Sequence, residues 1–192
     1  MKISMISELL SPITKNSSQI SQRLSERYGS FVELAEADID AIAAVTGDSS
    51  VALYIKLAVA LVSRRVCDSL RFGKKHTQEE IENYLVHLFF GLTVETVYVI
   101  SIDKAGKTVA CDKVNEGTVN FSNVTPRKLL EVALRRGASE VIVAHNHPGG
   151  YAIASGDDIS ATALLNEIFA SSGIKLLNHY VVAASECNCV HV

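Results

Sequence analysis

The 192-residue sequence has no apolar run long enough to cross a bilayer; stretches such as Ala58–Val62 are far too short. Nothing in it resembles a secretory signal, and its four cysteines, Cys67, Cys111, Cys187 and Cys189, are scattered rather than spaced as a disulfide framework. These absences set aside a membrane-spanning or disulfide-stapled protein, and the expectation is a cytoplasmic one. It also lacks a dominant charge. The net charge of −3 creates no global field toward nucleic acid or an acidic membrane, so any polyanion contact has to be local. There are no internal repeats. What is present is an apolar fraction of 48%, enough for a core.

The chain changes character near residue 90. Before it, the pattern is helical. Ser18–Tyr28 is a short amphipathic segment ending at Gly29, and Ser30–Ala35 and Asp38–Val45 read as two more helices. Thr46-Gly47-Asp48-Ser49 is a turn, and Val51–Leu70, rich in Ala, Leu and Lys, is the longest helix. The basic, Gly-containing stretch Arg71–His76 reads as a linker, which gives domains at 1–72 and 73–192. Thr77 with Glu80 forms a capping box for a helix to about Leu92.

After residue 94, strands and helices alternate. Glu95–Asp103 (ETVYVISID) is a strand, with Lys107–Val114 as its hairpin partner and Gly117–Phe121 as a third candidate. Thr125-Pro126 opens a helix that stops at Gly137. Glu140–Ala144 is wholly apolar after its first residue, as in a strand covered on both faces. Ser155 caps a helix closed by Gly173, and Ile174–Ala184 and Cys189–Val192 are expected closing strands. The fold class is therefore mixed α/β, or α+β.

The chemistry concentrates in Val141–Asp158, VIVAHNHPGGYAIASGDD. Residues two apart on a strand share a face, so His145 and His147 aim two imidazoles at one point while Asn146, on the other face, reads as structural. Pro148 ends the ladder. Asp158, one turn into the following helix, can face back toward them. Two imidazoles and one carboxylate leave a fourth tetrahedral position open, the ligand count of a catalytic zinc site. Ser155 and Asp158 equally form a plain capping box, and the two readings compete for the Asp158 carboxylate. His179 is either a buried, hydrogen-bonded histidine or a residue behind the metal ligands. Cys187, Cys189 and His191 do not have the spacing of a zinc knuckle.

The joint pattern H-x-H-P, six residues, S-x-x-D resembles the JAMM/MPN metalloprotease family, matched by His145, His147, Pro148, Ser155 and Asp158. The wording HNHP, together with NEGT at Asn115–Thr118, TPRKLLEVALRRGASEVIVAHNHP at Thr125–Pro148 and LLNHYVVA at Leu176–Ala183, is similar to its RadC branch. The likeness implies a cytidine-deaminase-like mixed sheet preceded by a helix-hairpin-helix segment. It also implies Zn2+ on His145, His147 and Asp158, which polarises both a water and a substrate carbonyl. Glu95, heading the first strand, is implied as the base, with Glu116 as runner-up, and Ser155 as the oxyanion donor.

The implied substrate is a peptide or an isopeptide-linked protein. The RadC label also implies a DNA-associated role, for which Arg64, Arg65, Arg71, Lys74 and Lys75 and the helix bearing Arg127, Lys128, Arg135 and Arg136 are the candidate contacts. The same charges read equally as solvated helix faces. A metal-binding module that acts by protein contact is a third reading. Sheet edges would allow a homodimer. Nucleobase deamination is set aside, because H-x-E and P-C-x-x-C are both missing.

Two features depart from the family pattern. The loop Gly149–Ala154 (GGYAIA) lacks the usual prolines and is expected to be more mobile. Ser49 stands where the hairpin motif has its second glycine, so a side chain occupies a point of close phosphate approach.

Overall fold

The computed structural model describes residues 3–69, 72–116 and 125–191, by backbone alone at 66–69 and 116. The chain divides into two compact units, Met1–Arg65 and Val66–Val192, with the boundary inside one helix.

The first unit is helical: α1 (Ile3–Leu10), α2 (Ser17–Arg27), α3 (Phe31–Glu36), α4 (Ile39–Thr46) and the start of α5 (Ser49–Ser69). Its core joins Ile6, Leu10, Ile20, Leu24, Leu34, Ile42, Val51 and Ile55. Sequence reading did not anticipate α1. Its serines weaken the helical signal, and its place in the structure comes from burying Ile6 and Leu10, four apart on one face. Between α4 and α5, Gly47 takes the left-handed conformation (φ 74°) that ends α4. The Asp48 carboxylate then accepts the Ser50 N–H at 2.7 Å, so the turn is also a helix cap.

The second unit has three layers. Its sheet runs β2-β1-β3-β4-β5, from β1 (Thr96–Ile102), β2 (Thr108–Glu116), β3 (Glu140–Asn146), β4 (Lys175–Ala183) and β5 (Glu186–Cys189). The pairings are antiparallel except for the parallel pair β3–β4. The closing strand thus lies three residues earlier than its sequence signal, while Gly117–Phe121 falls outside the described residues. On one face, α6 (Gln78–Phe89), started by the expected Thr77–Glu80 capping box, packs Ile81, Leu85 and Phe89 on Ile100, Ile142 and Tyr180. On the other face, α7 (Pro126–Arg135) and α8 (Gly156–Ser171) pack Leu129, Leu165 and Phe169 on Val97, Val99, Val141 and Val143.

Each such fully buried side chain contributes roughly 1.5–3 kcal/mol of transfer free energy. The expected linker is not loose where it is described. Gly73 N–H donates to Thr108 O at 2.7 Å and Thr108 N–H to Lys74 O at 2.9 Å, extending the sheet's hydrogen bonding. No helix among the described residues is long and apolar enough to cross a membrane.

Candidate metal centre

The central strand β3 sets the site. It is buried on both faces, so its alternation sends Val141 and Val143 to the α7/α8 side and Ile142 and Ala144 to the α6 side. His145 follows the first set and is fully buried. His147 lies just past the strand end but still donates its backbone N–H to Val182 O at 2.9 Å, so its position is held by the sheet. The carboxylate comes from the first turn of α8.

The three converge. His145 Nε2 lies 3.0 Å from His147 Nε2 and 3.2 Å from Asp158 Oδ1, and His147 Nε2 lies 3.5 Å from Asp158 Oδ2. Ligand atoms around a tetrahedral zinc, with bonds of about 2.0–2.1 Å, stand about 3.3 Å apart. The His145–His147 and His145–Asp158 Oδ1 distances lie within a few tenths of an ångström of that value, while His147 approaches the other carboxylate oxygen, Oδ2. Among the described residues, this is the group of His, Cys, Asp and Glu side chains whose ligand atoms come close enough to share one ion.

The competition for Asp158 resolves by a division of its two oxygens. Oδ2 accepts the Ser155 backbone N–H and the Ser155 hydroxyl, each at 2.7 Å, which makes the capping box. Oδ1 faces His145. Burial alone would raise the pKa of Asp158, but the hydrogen bonds it accepts from Ser155 work against this, and the carboxyl is held well below its usual range. It is therefore an anion at neutral pH. His145 is pushed down by burial, against the pull of Asp158, so it offers a neutral ring. His179, 1% exposed, is pushed down to about 3, first by burial and next by its neighbour His145.

The departing loop is pinned rather than slack. Gly149 has φ 69°, and Gly150 N–H closes a turn on His147 O at 3.2 Å. Ala152 is buried, and its carbonyl accepts from Asn188 Nδ2 at 2.8 Å. The Tyr151 carbonyl lies 3.2 Å from His147 Nδ1. A carbonyl only accepts, so Nδ1 carries the proton and Nε2 keeps its lone pair toward the cluster.

Val97 pairs with His145 across the β1–β3 ladder, and Glu95, the candidate base, lies two residues earlier, just ahead of β1. Glu95 is 9% exposed. Asn146, read as structural, has a more particular task. Its Oδ1 accepts Thr96 N–H at 2.8 Å and its Nδ2 donates to Val94 O at 3.3 Å, so it grips the backbone on both sides of Glu95. The Glu116 side chain lies outside the described residues. Its backbone is on the edge strand opposite Thr96, two strands from β3, or about 9–10 Å away.

Behind the ligands, His145 Nδ1 meets His179 Nε2 at 2.9 Å, and His179 Nδ1 meets Thr162 Oγ1 at 2.6 Å. Sequence reading left His179 between two roles, and it fills both. Thr162 went unnoticed, although its place four residues after Asp158 puts the two on one helix face.

A model of the RadC-like JAB domain matches residues 75–190. The chain belongs to that family. Similar RadC-family relatives include a UPF0758 protein of Nitrosococcus oceani, 31% identical over 90% of this chain and 78% of its own length. Another, from Chromobacterium violaceum, is 31% identical over 87% of this chain and 75% of its own. A third, from Herminiimonas arsenicoxydans, is 27% identical over 90% and 78%. The RadC-like JAB domain thus carries the whole His-His-Asp cluster, which is compatible with a metal ion.

The basic residues lie elsewhere. Arg64 and Arg65 are exposed on α5, and Lys74 and Lys75 are exposed beside β2, while Arg71 is outside the described residues. On α7, Arg127 pairs with Glu131 at 2.9 Å, and Arg136, just past it, grips Asp112 through Nε at 2.8 Å. Cys187 and Cys189 face the α6 core instead of forming a second metal group, and burial pushes the Cys187 thiol up to about 12.

Proposed function

We propose that this RadC-like JAB protein is a zinc-dependent hydrolase of JAMM type that cleaves an amide bond in a peptide or isopeptide-linked protein. The observation that carries the reading is the convergence of the His145 and His147 Nε2 atoms with the Asp158 carboxylate, in a unit where the buried Glu95 lies two residues before Val97, the ladder partner of His145. A Zn2+ ion bound there supplies a Lewis acid that activates water and polarises a carbonyl. His145, His147 and Asp158 would hold it.

Glu95 takes the proton of the attacking water and hands it to the departing amine nitrogen. Asn146 keeps the backbone around Glu95 fixed while it does so. Ser155 holds Asp158 through its N–H and hydroxyl. To donate to a developing oxyanion, the Ser155 hydroxyl has to rotate off Oδ2, leaving the backbone N–H to steady the carboxylate.

The test combines metal analysis with mass-spectrometric screening of peptide and isopeptide-linked substrates. The purified protein is expected to hold one zinc. Glu95→Gln should keep that zinc and lose hydrolysis by roughly 10²- to 10⁴-fold. A protein that binds zinc yet cuts neither class of bond, or a Glu95→Gln variant as fast as the wild type, would count against the reading.

A further inference from the structure

The hydrogen bonds behind the cluster form a chain whose polarity can be worked out. Thr162 Oγ1 lies 2.5 Å from the Asp158 carbonyl oxygen and 2.6 Å from His179 Nδ1. A threonine hydroxyl has one proton and two lone pairs. A peptide carbonyl can only accept, so at 2.5 Å the proton of Thr162 lies between the two oxygens. Thr162 is then an acceptor toward His179, and His179 Nδ1 carries a hydrogen. A neutral imidazole has only one, so His179 Nε2 is a lone pair. It faces His145 Nδ1 at 2.9 Å, and that nitrogen must donate. By the same count, His145 Nε2 is the lone pair, and it is the atom that faces His147 and Asp158.

We infer that Thr162 and His179 are positioning residues that fix the proton of His145 on Nδ1 and so present its Nε2 to the metal. The path begins on the backbone of Asp158 and ends at a nitrogen facing the carboxylate of the same residue. One helix turn therefore sets both the anionic ligand and the tautomer of its partner. An ordinary mid-helix threonine also bonds the carbonyl four residues back, and that alone would explain the first contact. It does not explain why the same buried oxygen meets a ring nitrogen at 2.6 Å, with Thr162 4% and His179 1% exposed.

The inference rests on the metal-site reading, and the experiments separate the two. Thr162→Val keeps the shape and removes the acceptor for His179 Nδ1–H. The stranded hydrogen is relieved if both rings change tautomer, which puts a hydrogen on His145 Nε2, where a metal would bind. Thr162→Ser keeps the acceptor. In chelator competition with Zn2+ on the full chain, Thr162→Val is expected to bind about 10- to 100-fold more weakly, and Thr162→Ser within about threefold of wild type. Long-range 1H–15N spectra of the zinc-loaded wild type should show His145 and His179 both protonated at Nδ1.

Wild-type zinc affinity in a folded Thr162→Val protein would overturn the inference, as would a His179 proton on Nε2. The wild-type spectrum decides the matter even where the valine variant does not fold. A wild type that binds no Zn2+ removes both the inference and the hydrolase reading. One that binds zinc with the expected ring protons but cleaves no substrate removes the hydrolase reading alone.

Discussion

Asn146 sits between the two histidines in sequence and faces the other way. The geometry of HNHP is thereby divided, with His145 and His147 facing the candidate metal site and Asn146 holding the backbone at Val94 and Thr96. Asn146→Ala should leave zinc content unchanged, because no ligand is touched. It strands the buried Thr96 N–H, at about 1–3 kcal/mol of stability. It also frees Glu95 to drift, and hydrolysis should fall roughly 10- to 100-fold. Denaturant unfolding and turnover measured on the same preparation check the two effects. At this scale the convergence of His145, His147 and Asp158 was legible in the sequence because a strand's two-residue period and a helix cap are strictly local rules. Thr162 was not, because a hydroxyl inside a helix gives no local sign of what approaches it from another strand.

At the scale of elements, the best-read pieces were those whose ends carry their own chemistry. The capping boxes Thr77–Glu80 and Ser155–Asp158 both formed as spelled. Helix α1 and the position of β5 were harder, since α1 is specified by what it packs on and β5 by its ladder with β4. The segment before α6 looked like a linker for a similar reason: pairing between residues 73–74 and Thr108 spans a distance in sequence that no short window reports. The Ser155 cap gives a test at this scale. Ser155→Ala removes a side-chain acceptor from the Asp158 N–H and a donor to its carboxylate. The expected cost is about 1 kcal/mol, read from urea unfolding of the metal-free protein. A variant as stable as wild type would mean that the Ser155 backbone N–H alone suffices to cap α8.

For the molecule as a whole, the buried polar set makes folding depend on pH. His179 has its pKa pushed from the ordinary 6.5 to about 3. The unfolded chain therefore binds a proton that the folded one refuses throughout that window. Its contribution is complete above pH 6.5 and is lost as pH falls toward 3. Stability of the metal-free protein should drop by about 2 kcal/mol between pH 7 and pH 5. His179→Gln should reduce that slope in urea titrations at the two pH values, leaving the share that comes from the buried His145. The mixed α/β class was legible because the sequence changes from a helical to an alternating pattern near residue 90. The balance of net charge gave no partner, and the exposed basic residues lie in different elements, two of them, Arg127 and Arg136, already paired with acids.

The tip of β3 has a further consequence. One short strand carries a candidate metal ligand, His145, on one face and, on the other, the Asn146 amide that holds the backbone on both sides of Glu95, so displacing that strand would disturb both at once. In the loop beyond it, the exposed side chains of Tyr151 and Ile153 are open to exchange, provided the carbonyl at position 151 stays where His147 needs it, whereas Gly149, with φ 69°, and the buried Ala152 are not.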